Sequence, residues 1–308
     1  MLLGDIIRQN ARKFPYRTAV ICGETRLTYE ELNSRVNRLA RALLDMGMKK
    51  GDRLAVLADT CPEYVVTYFA CAKSGMIIVP VNTTLDIGGV SSIIKGSGAV
   101  AIIFGQEYTG LAKPIGSEMS TIKHYLAIGE MTGVYSFQEA IMGLSADEPD
   151  VIVDENDIAW LCYTSGTTGV PKGVMLSHKN IMSGYPNGRN EINLCLLPMS
   201  HAGGMIQPLL HYIVGGTNVL MEKYDPRLFL EMTQKEKVTT TLMVPPMLAS
   251  IIDVPDIGGY DVSSLRLAVT GGALIPDGTA GKFNEIFGDI ILPIYAAIPD
   301  YMLSGCIG

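Results

Sequence analysis

With 308 residues, 48% hydrophobic side chains and a mean hydropathy of +0.26, the chain has material for one large α/β domain or two smaller lobes around a sizeable core. The formal net charge of −7 and pI of about 5.2 argue against a general nucleic-acid binder, which displays a basic surface, although a local loop of backbone N–H groups with one lysine can still hold a small anion. No apolar run approaches the roughly 18–20 residues of a membrane span, so no transmembrane segment is expected.

The opening MLLGDIIRQNARKF sets Asp5 and Arg8 where a signal peptide requires its apolar region, so the expected location is the cytoplasm. The stretch TAVICGETRLTYEELNSRVNRLARALLDMGMKKGDRLAVLA reads as strand, turn, strand, helix, strand. Thr28 and Glu31 form a capping box, and Leu32, Val36, Leu39, Ala40 and Leu43 fall on one helical face. Gly47 and Gly51 bracket the stop. The pattern repeats with a helix over Glu63–Ser74, the strand MIIVPVN, a helix near Ile87–Gly96 and the strand AVAIIFG. Lys73, at a helix end, is expected on the surface.

The acidic stretch Leu144–Asp157, with Pro149 inside it, reads as a connector between lobes or as a solvated surface loop. Beyond it come NLCLLP, TNVLME, a helix around Asp225–Lys237, TTTLMVPP, a short helix, LRLAVTGGA and DIILPIY. Strands alternating with helices predict an α/β fold: two successive lobes, 1–150 and 151–308, with mainly parallel sheets flanked by helices and a ligand crevice between them. The cysteines Cys22, Cys61, Cys71, Cys162, Cys195 and Cys306 form no C-x-x-C pair. Several sit in apolar stretches, so buried reduced thiols are expected in preference to disulfides or a metal site.

The densest chemistry lies in YTSGTTGVPKGVMLSH, Tyr163–His178, within the second lobe. Gly166, Gly169 and Gly173 let backbone approach a ligand, Thr164, Ser165, Thr167 and Thr168 add hydroxyls, and Lys172 adds a mobile point charge. That set suits a polyphosphate. It is neither a Walker A loop nor a dinucleotide-binding G-x-G-x-x-G, since Lys172 follows Pro171 and precedes Gly173. A Gly/Thr-rich hairpin with an incidental lysine is the plainer alternative.

The string resembles the phosphate-binding signature of the adenylate-forming superfamily: acyl-CoA synthetases, luciferases and the adenylation domains of peptide synthetases. Other segments agree in order: LTYEELNSRVNRLARAL, GDRLAVL, KSGMIIVPVN (Lys73–Asn82), LPMSH (Leu197–His201) and YDVSSLRLAVTGGALI (Tyr260–Ile275). The double threonine and VMLSHKN look closer to acyl-CoA synthetases than to peptide-synthetase domains. The resemblance implies the amino-terminal domain of such an enzyme, which joins a fatty or aromatic carboxylate to ATP, releases pyrophosphate, and passes the acyl-adenylate to coenzyme A. Small-molecule carboxylate and ATP are the implied partners. Thr164, Ser165, Gly166, Thr167, Thr168, Gly169 and Lys172 would cradle the β- and γ-phosphates. Gly271, Gly272 and Ala273 would lie against one adenine face, Tyr295 would stack on the other, and His201 would stand beside the acyl pocket. His201 and Lys172 are the implied catalytic residues, and His178 would close the loop's exit or serve structure.

The sequence also departs from the pattern. Where the family reads Tyr-Gly-x-Thr-Glu, this chain has Tyr295, Ala296, Ala297, Ile298 and Pro299. Isoleucine and proline offer neither the threonine's hydrogen bond to the α-phosphate nor the glutamate's hold on Mg²⁺, and Asp300 stands one residue away. Ser200 replaces the usual aromatic before the histidine, which reshapes the acyl pocket. The family's ribose-binding aspartate, hinge and carboxy-terminal lobe with its lysine have no counterpart before Gly308, so a truncated chain incomplete for turnover is expected. A non-catalytic nucleotide- or acyl-binding protein on the same scaffold is the alternative. A homodimer through apolar surface left bare by the absent lobe is a further expectation.

Overall fold

The computed structural model describes residues 1–111, 121–164, 172–183 and 191–294. The chain begins with α1 (Leu3–Lys13), which buries Leu3, Ile6 and Ile7. The hairpin of β1 (Thr18–Cys22) and β2 (Thr25–Thr28) then turns at Gly23, whose φ of +55° lies in the left-handed region that favours glycine. The capping box opens α2 (Tyr29–Asp45): the Glu31 N–H donates to Thr28 Oγ1, and the Thr28 N–H donates to the Glu31 carboxylate at 2.8 Å. Leu32, Val36, Leu39, Ala40 and Leu43 are all fully buried, as the helical period requires.

There follow β3 (Arg53–Leu57), α3 (Pro62–Ser74), β4 (Ile77–Pro80), α4 (Ile87–Ser97), β5 (Ala101–Gly105), β6 (His124–Ile128), β7 (Tyr135–Ser136) and the short α5 (Phe137–Ile141). Next come the antiparallel pair β8 (Ile158–Thr164) and β9 (Lys172–Ser177), then α6 (His178–Met182) and β10 (Ile192–Cys195). The chain continues through α7 (Ala202–Ile213), β11 (Thr217–Leu220), α8 (Pro226–Glu236), β12 (Thr240–Met243), α9 (Pro245–Ile252), β13 (Leu267–Thr270), α10 (Thr279–Phe287) and β14 (Ile291–Pro293).

Two seven-stranded sheets result, in the orders β7-β6-β5-β3-β4-β8-β9 and β14-β13-β12-β10-β11-β1-β2. Each is parallel except where a hairpin strand, β9 or β2, closes one edge. One core draws on both sheets and includes Leu3, Leu39, Phe69, Trp160, Tyr212 and Leu220, so α1, α2, α3 and α7 lie between them. A second core packs α8, α9 and α10 on the outer face of one sheet, and a third packs α4 on the outer face of the other. Burial on both faces explains why the strands read as near-continuous apolar runs.

The sheets do not divide at residue 150. β1 pairs in parallel with β11, Val20 opposite Asn218, so the first hairpin belongs to the sheet built mostly from later residues. β8 pairs in parallel with β4, Trp160 opposite Ile78, so a strand inside the predicted second lobe, 151–308, belongs to the sheet of the first. Leu144–Asp157 contains no helix or strand and joins α5 to β8 within that same sheet. It is a strap tied to α2: Asn37 Nδ2 donates to the Ala146 carbonyl at 2.7 Å, and Arg41 donates to the carbonyls of Asp147 and Glu148.

Lys73 is where the sequence reading fails most plainly. It is only 7% exposed, because α1 crosses the end of α3 and Gly4 lies against the Lys73 stem. Its ammonium donates to Asn33 Oδ1, Asn37 Oδ1 and both Glu148 oxygens at 2.6–2.8 Å, joining α2, α3 and the strap. Burial pulls the amine down to about 8, while the Glu148 carboxylate opposes that fall. Cys22, Cys61, Cys71, Cys162 and Cys195 are free thiols, with burial pushing Cys71 and Cys162 up to about 12; Cys306 lies outside the described residues.

Candidate functional site

In a parallel sheet all strands end on one edge, and loops leaving that edge are where α/β folds bind ligands. The predicted site residues that are described lie at such edges. β8 ends at Thr164, which pairs with Lys172 at the start of β9, so Lys172 stands exposed at the carboxyl end of β8. Ser165, Gly166, Thr167, Thr168, Gly169 and Tyr295 lie outside the described residues. Gly173 has a plainer role than ligand approach: a Cβ there would come within 3.0 Å of Leu161 and 3.3 Å of the Tyr163 ring, so glycine lets the hairpin close.

On the second sheet, β10 runs into Leu196–His201 and β13 into Gly271–Ala273, at the same carboxyl edge. The Leu196–His201 loop is held inward by Leu196 and Met199, both buried, and the His201 N–H donates to the Pro198 carbonyl at 3.0 Å. His201 is the N-cap residue of α7 and its side chain lies at the surface; partial desolvation holds the imidazole below its ordinary value. Gly271 passes so close to β14 that a Cβ would sit 2.6 Å from the Ile294 carbonyl oxygen, and Gly272 turns at φ +83°. The result is an exposed strip of backbone at Gly272 and Ala273. One hydrogen bond joins the two edges: the Met199 N–H donates to Thr60 Oγ1, in the loop after β3, at 3.1 Å.

Sequence reasoning missed Thr270. It ends β13 with its hydroxyl buried and without a hydrogen-bond partner among the described residues, and the only available signal was its place before Gly271. His178 does not close the loop's exit. It follows β9 at the end opposite Lys172, about 20 Å away at the rise of a strand. There it is buried and its Nδ1 accepts the Leu3 N–H at 3.3 Å, which docks α1. Desolvation keeps the ring neutral, down to about 4, against the pull of Asp157 and Asp5. A cleft of about 1250 Å³ opens between the ends of β1 and β11 on one sheet and β3, β5 and β6 on the other. Asp59 in its wall accepts the Tyr108 hydroxyl at 2.6 Å and faces the Lys223 ammonium at 3.4 Å; among the described residues, none of the predicted site residues lines it. Among the described residues no group of three or more His, Cys, Asp or Glu side chains is placed to hold a metal ion, and no helix is long and apolar enough to cross a membrane.

A family model described as AMP-binding enzyme matches residues 7–297. The chain belongs to that family. It is 34% identical over 292 residues to a feruloyl-CoA synthase of Amycolatopsis sp, covering 92% of this chain and 57% of that protein. It is 30% identical over 284 residues to the long-chain-fatty-acid–CoA ligase FadD13 of Mycobacterium tuberculosis, covering 89% of this chain and 56% of that protein. The chain thus spans little more than half the length of these curated relatives. The inhibitor-bound amino-terminal domain of FACL13 from Mycobacterium tuberculosis superposes with a TM-score of 0.89 at 27% identity, over 98% of this chain and 77% of that one. The anthranilate CoA ligase AuaEII, solved with anthranoyl-AMP, shares the fold with a TM-score of 0.93 at 24% identity, over 98% and 61% of the two chains.

Proposed function

We propose that this chain supplies the nucleotide- and acid-binding part of an ATP-dependent acid–CoA ligase. The supporting observations are that the Leu196–His201 loop and the Gly271–Ala273 strip leave the carboxyl edge of one sheet, that Lys172 stands at the carboxyl end of β8 in the other, and that the Met199–Thr60 bond ties the first loop to the loop after β3. In this reading a carboxylate oxygen attacks the α-phosphorus of ATP and the bond to pyrophosphate breaks. The thiol of coenzyme A then attacks the acyl carbon, and AMP leaves. Lys172 offsets charge on the departing phosphates, and the glycine strip holds the adenine so that the reacting atoms stay in line. The Leu196–His201 loop borders the acid. The feruloyl-, fatty-acid- and anthranilate-CoA ligases among the relatives support an aryl or acyl carboxylate as the substrate class.

Carboxylate-dependent exchange of pyrophosphate into ATP tests this reading. Lys172→Ala should slow exchange by about 100-fold, as loss of one preorganised electrostatic group does; exchange indifferent to that substitution removes the assignment. A second reading is a nucleotide- or acyl-binding protein without turnover, favoured by Ile298 and Pro299 at positions where the resemblance implies threonine and glutamate. Calorimetric binding of ATP or an acyl-adenylate analogue without any exchange selects it.

A further inference from the structure

A closed circuit of buried amides lies beneath the Leu196–His201 loop. Gln207 Nε2, on α7, donates to Asn193 Oδ1 on β10. Asn193 Nδ2 donates to Asn218 Oδ1 on β11 at 2.7 Å. Asn218 Nδ2 donates to the carbonyl of Pro208 at 3.1 Å, which returns the circuit to α7 one residue from its origin. Asn193 and Asn218 are fully buried and Gln207 nearly so. Apolar side chains of the same volume would fill this space with no net loss of stability, because a satisfied buried hydrogen bond contributes little over its desolvated alternative. What a complete polar network adds is a single arrangement of the elements it joins.

The geometry points to a positioning role: Asn193, Gln207 and Asn218 clasp the two flanks of the Leu196–His201 loop and so set where His201 stands. Asn193 lies just before the loop on β10, and Gln207 lies in the second turn of α7 after it. α7 needs such a clasp because Pro208 has no N–H to give the Gly204 carbonyl, which weakens the helix between the loop and its anchor. The first turn of α7 is seated against the loop without slack: a Cβ on Gly204 would lie 2.0 Å from the Pro198 carbonyl oxygen. Any shift of α7 is therefore passed directly to the loop. That the loop borders an acid-binding pocket rests on the function proposed above; the clasp itself does not.

The test is Gln207→Glu, which keeps the shape and replaces the donor by an acceptor facing Asn193 Oδ1. Hydrogen–deuterium exchange of the peptide spanning 196–206 should quicken by about tenfold, the population change expected for one lost buried bond, with β3–β6 unchanged. In pyrophosphate exchange, the KM for the acid should rise while the KM for ATP and the maximal rate stay within about twofold. Unchanged loop exchange, or exchange quickened equally throughout the chain, overturns the clasp. Should the glutamate variant fail to fold, Gln207→Met removes the donor without adding charge and is read by the same criteria. If the loop loosens selectively but the parent chain shows no acid-dependent exchange, the clasp stands and the ligase reading falls.

Discussion

Lys73, which the sequence reading put on the surface, and His178, for which it left a structural role open, are buried ionisable side chains whose partners no local pattern shows. Each is held by partners remote in sequence: Lys73 by Asn33, Asn37 and Glu148, and His178 at Nδ1 by the Leu3 N–H 175 residues away, its Nε2 having no hydrogen-bond partner among the described residues. No local pattern encodes such pairings, whereas the Thr28–Glu31 cap, complete within four residues, is fully legible. His178 also sets a pH dependence. Its imidazole is held neutral to about 4 in the fold and returns to the ordinary 6.5 when unfolded, so between these values the unfolded chain binds more protons. Stability from this group is complete above pH 6.5 and is lost as the pH falls towards 4, by roughly 3 kcal/mol in all. Asp157 and Asp5 face the ring and work against the shift, and Lys50 adds to it. His178→Asn, which keeps an acceptor for the Leu3 N–H, should flatten the acid limb; urea unfolding at pH 7 and pH 5 measures it. An equal loss in both proteins would assign acid sensitivity to other groups.

At the scale of elements, strand and helix types were legible because apolar runs bounded by Gly and Pro recur with α/β spacing. Five helices were not, α1, α5, α6, α7 and α10: the sequence of α1 was weighed only as a leader, and Gly203, Gly204 and Pro208 weaken every helix signal in α7. Those glycines have a purpose in α7. Gly204→Ala gains up to about 1 kcal/mol of helix propensity. The same Cβ meets the Pro198 carbonyl at 2.0 Å, and overpacking against rigid backbone costs about 3 kcal/mol or more. The clash dominates, so the variant should be destabilised by about 2 kcal/mol. Chemical denaturation measures this, and a variant as stable as its parent would mean that α7 can slide away from the Leu197–Pro198 turn. Of the site, the strands that lead to His201 and Gly271–Ala273 were readable, while the β8–β9 pair beside Lys172 was read only as an alternative; the amide circuit beneath the loop was not legible, since Asn193 and Asn218 look like strand-end polar residues until β10 and β11 are paired.

For the whole molecule, which strand joins which sheet was not legible, since an apolar strand carries no mark of its partner. The interleaving has a thermodynamic consequence. The central core takes side chains from both sheets, Trp160 from one and Leu220 from the other, so neither sheet can lose its packing alone. Chains of this size commonly unfold in stages. Here fluorescence of Trp160, the sole tryptophan, and far-UV ellipticity should follow one coincident transition in urea. Two separated midpoints would mean that the sheets are energetically independent.

The early hairpin that crosses to the late sheet also sets an order of events at the ribosome. Arg17, just ahead of β1, hydrogen-bonds the Gly215 carbonyl 198 residues further on. At ordinary elongation rates that partner emerges about 10–40 s after β1 does. The sheet of β3 to β9 is fully synthesised well before then, whereas β1, with its apolar TAVIC, waits with a bare parallel edge. The nascent chain therefore carries an adhesive strand through most of its synthesis, and the amino-terminal hairpin is the segment on which a holding chaperone would act.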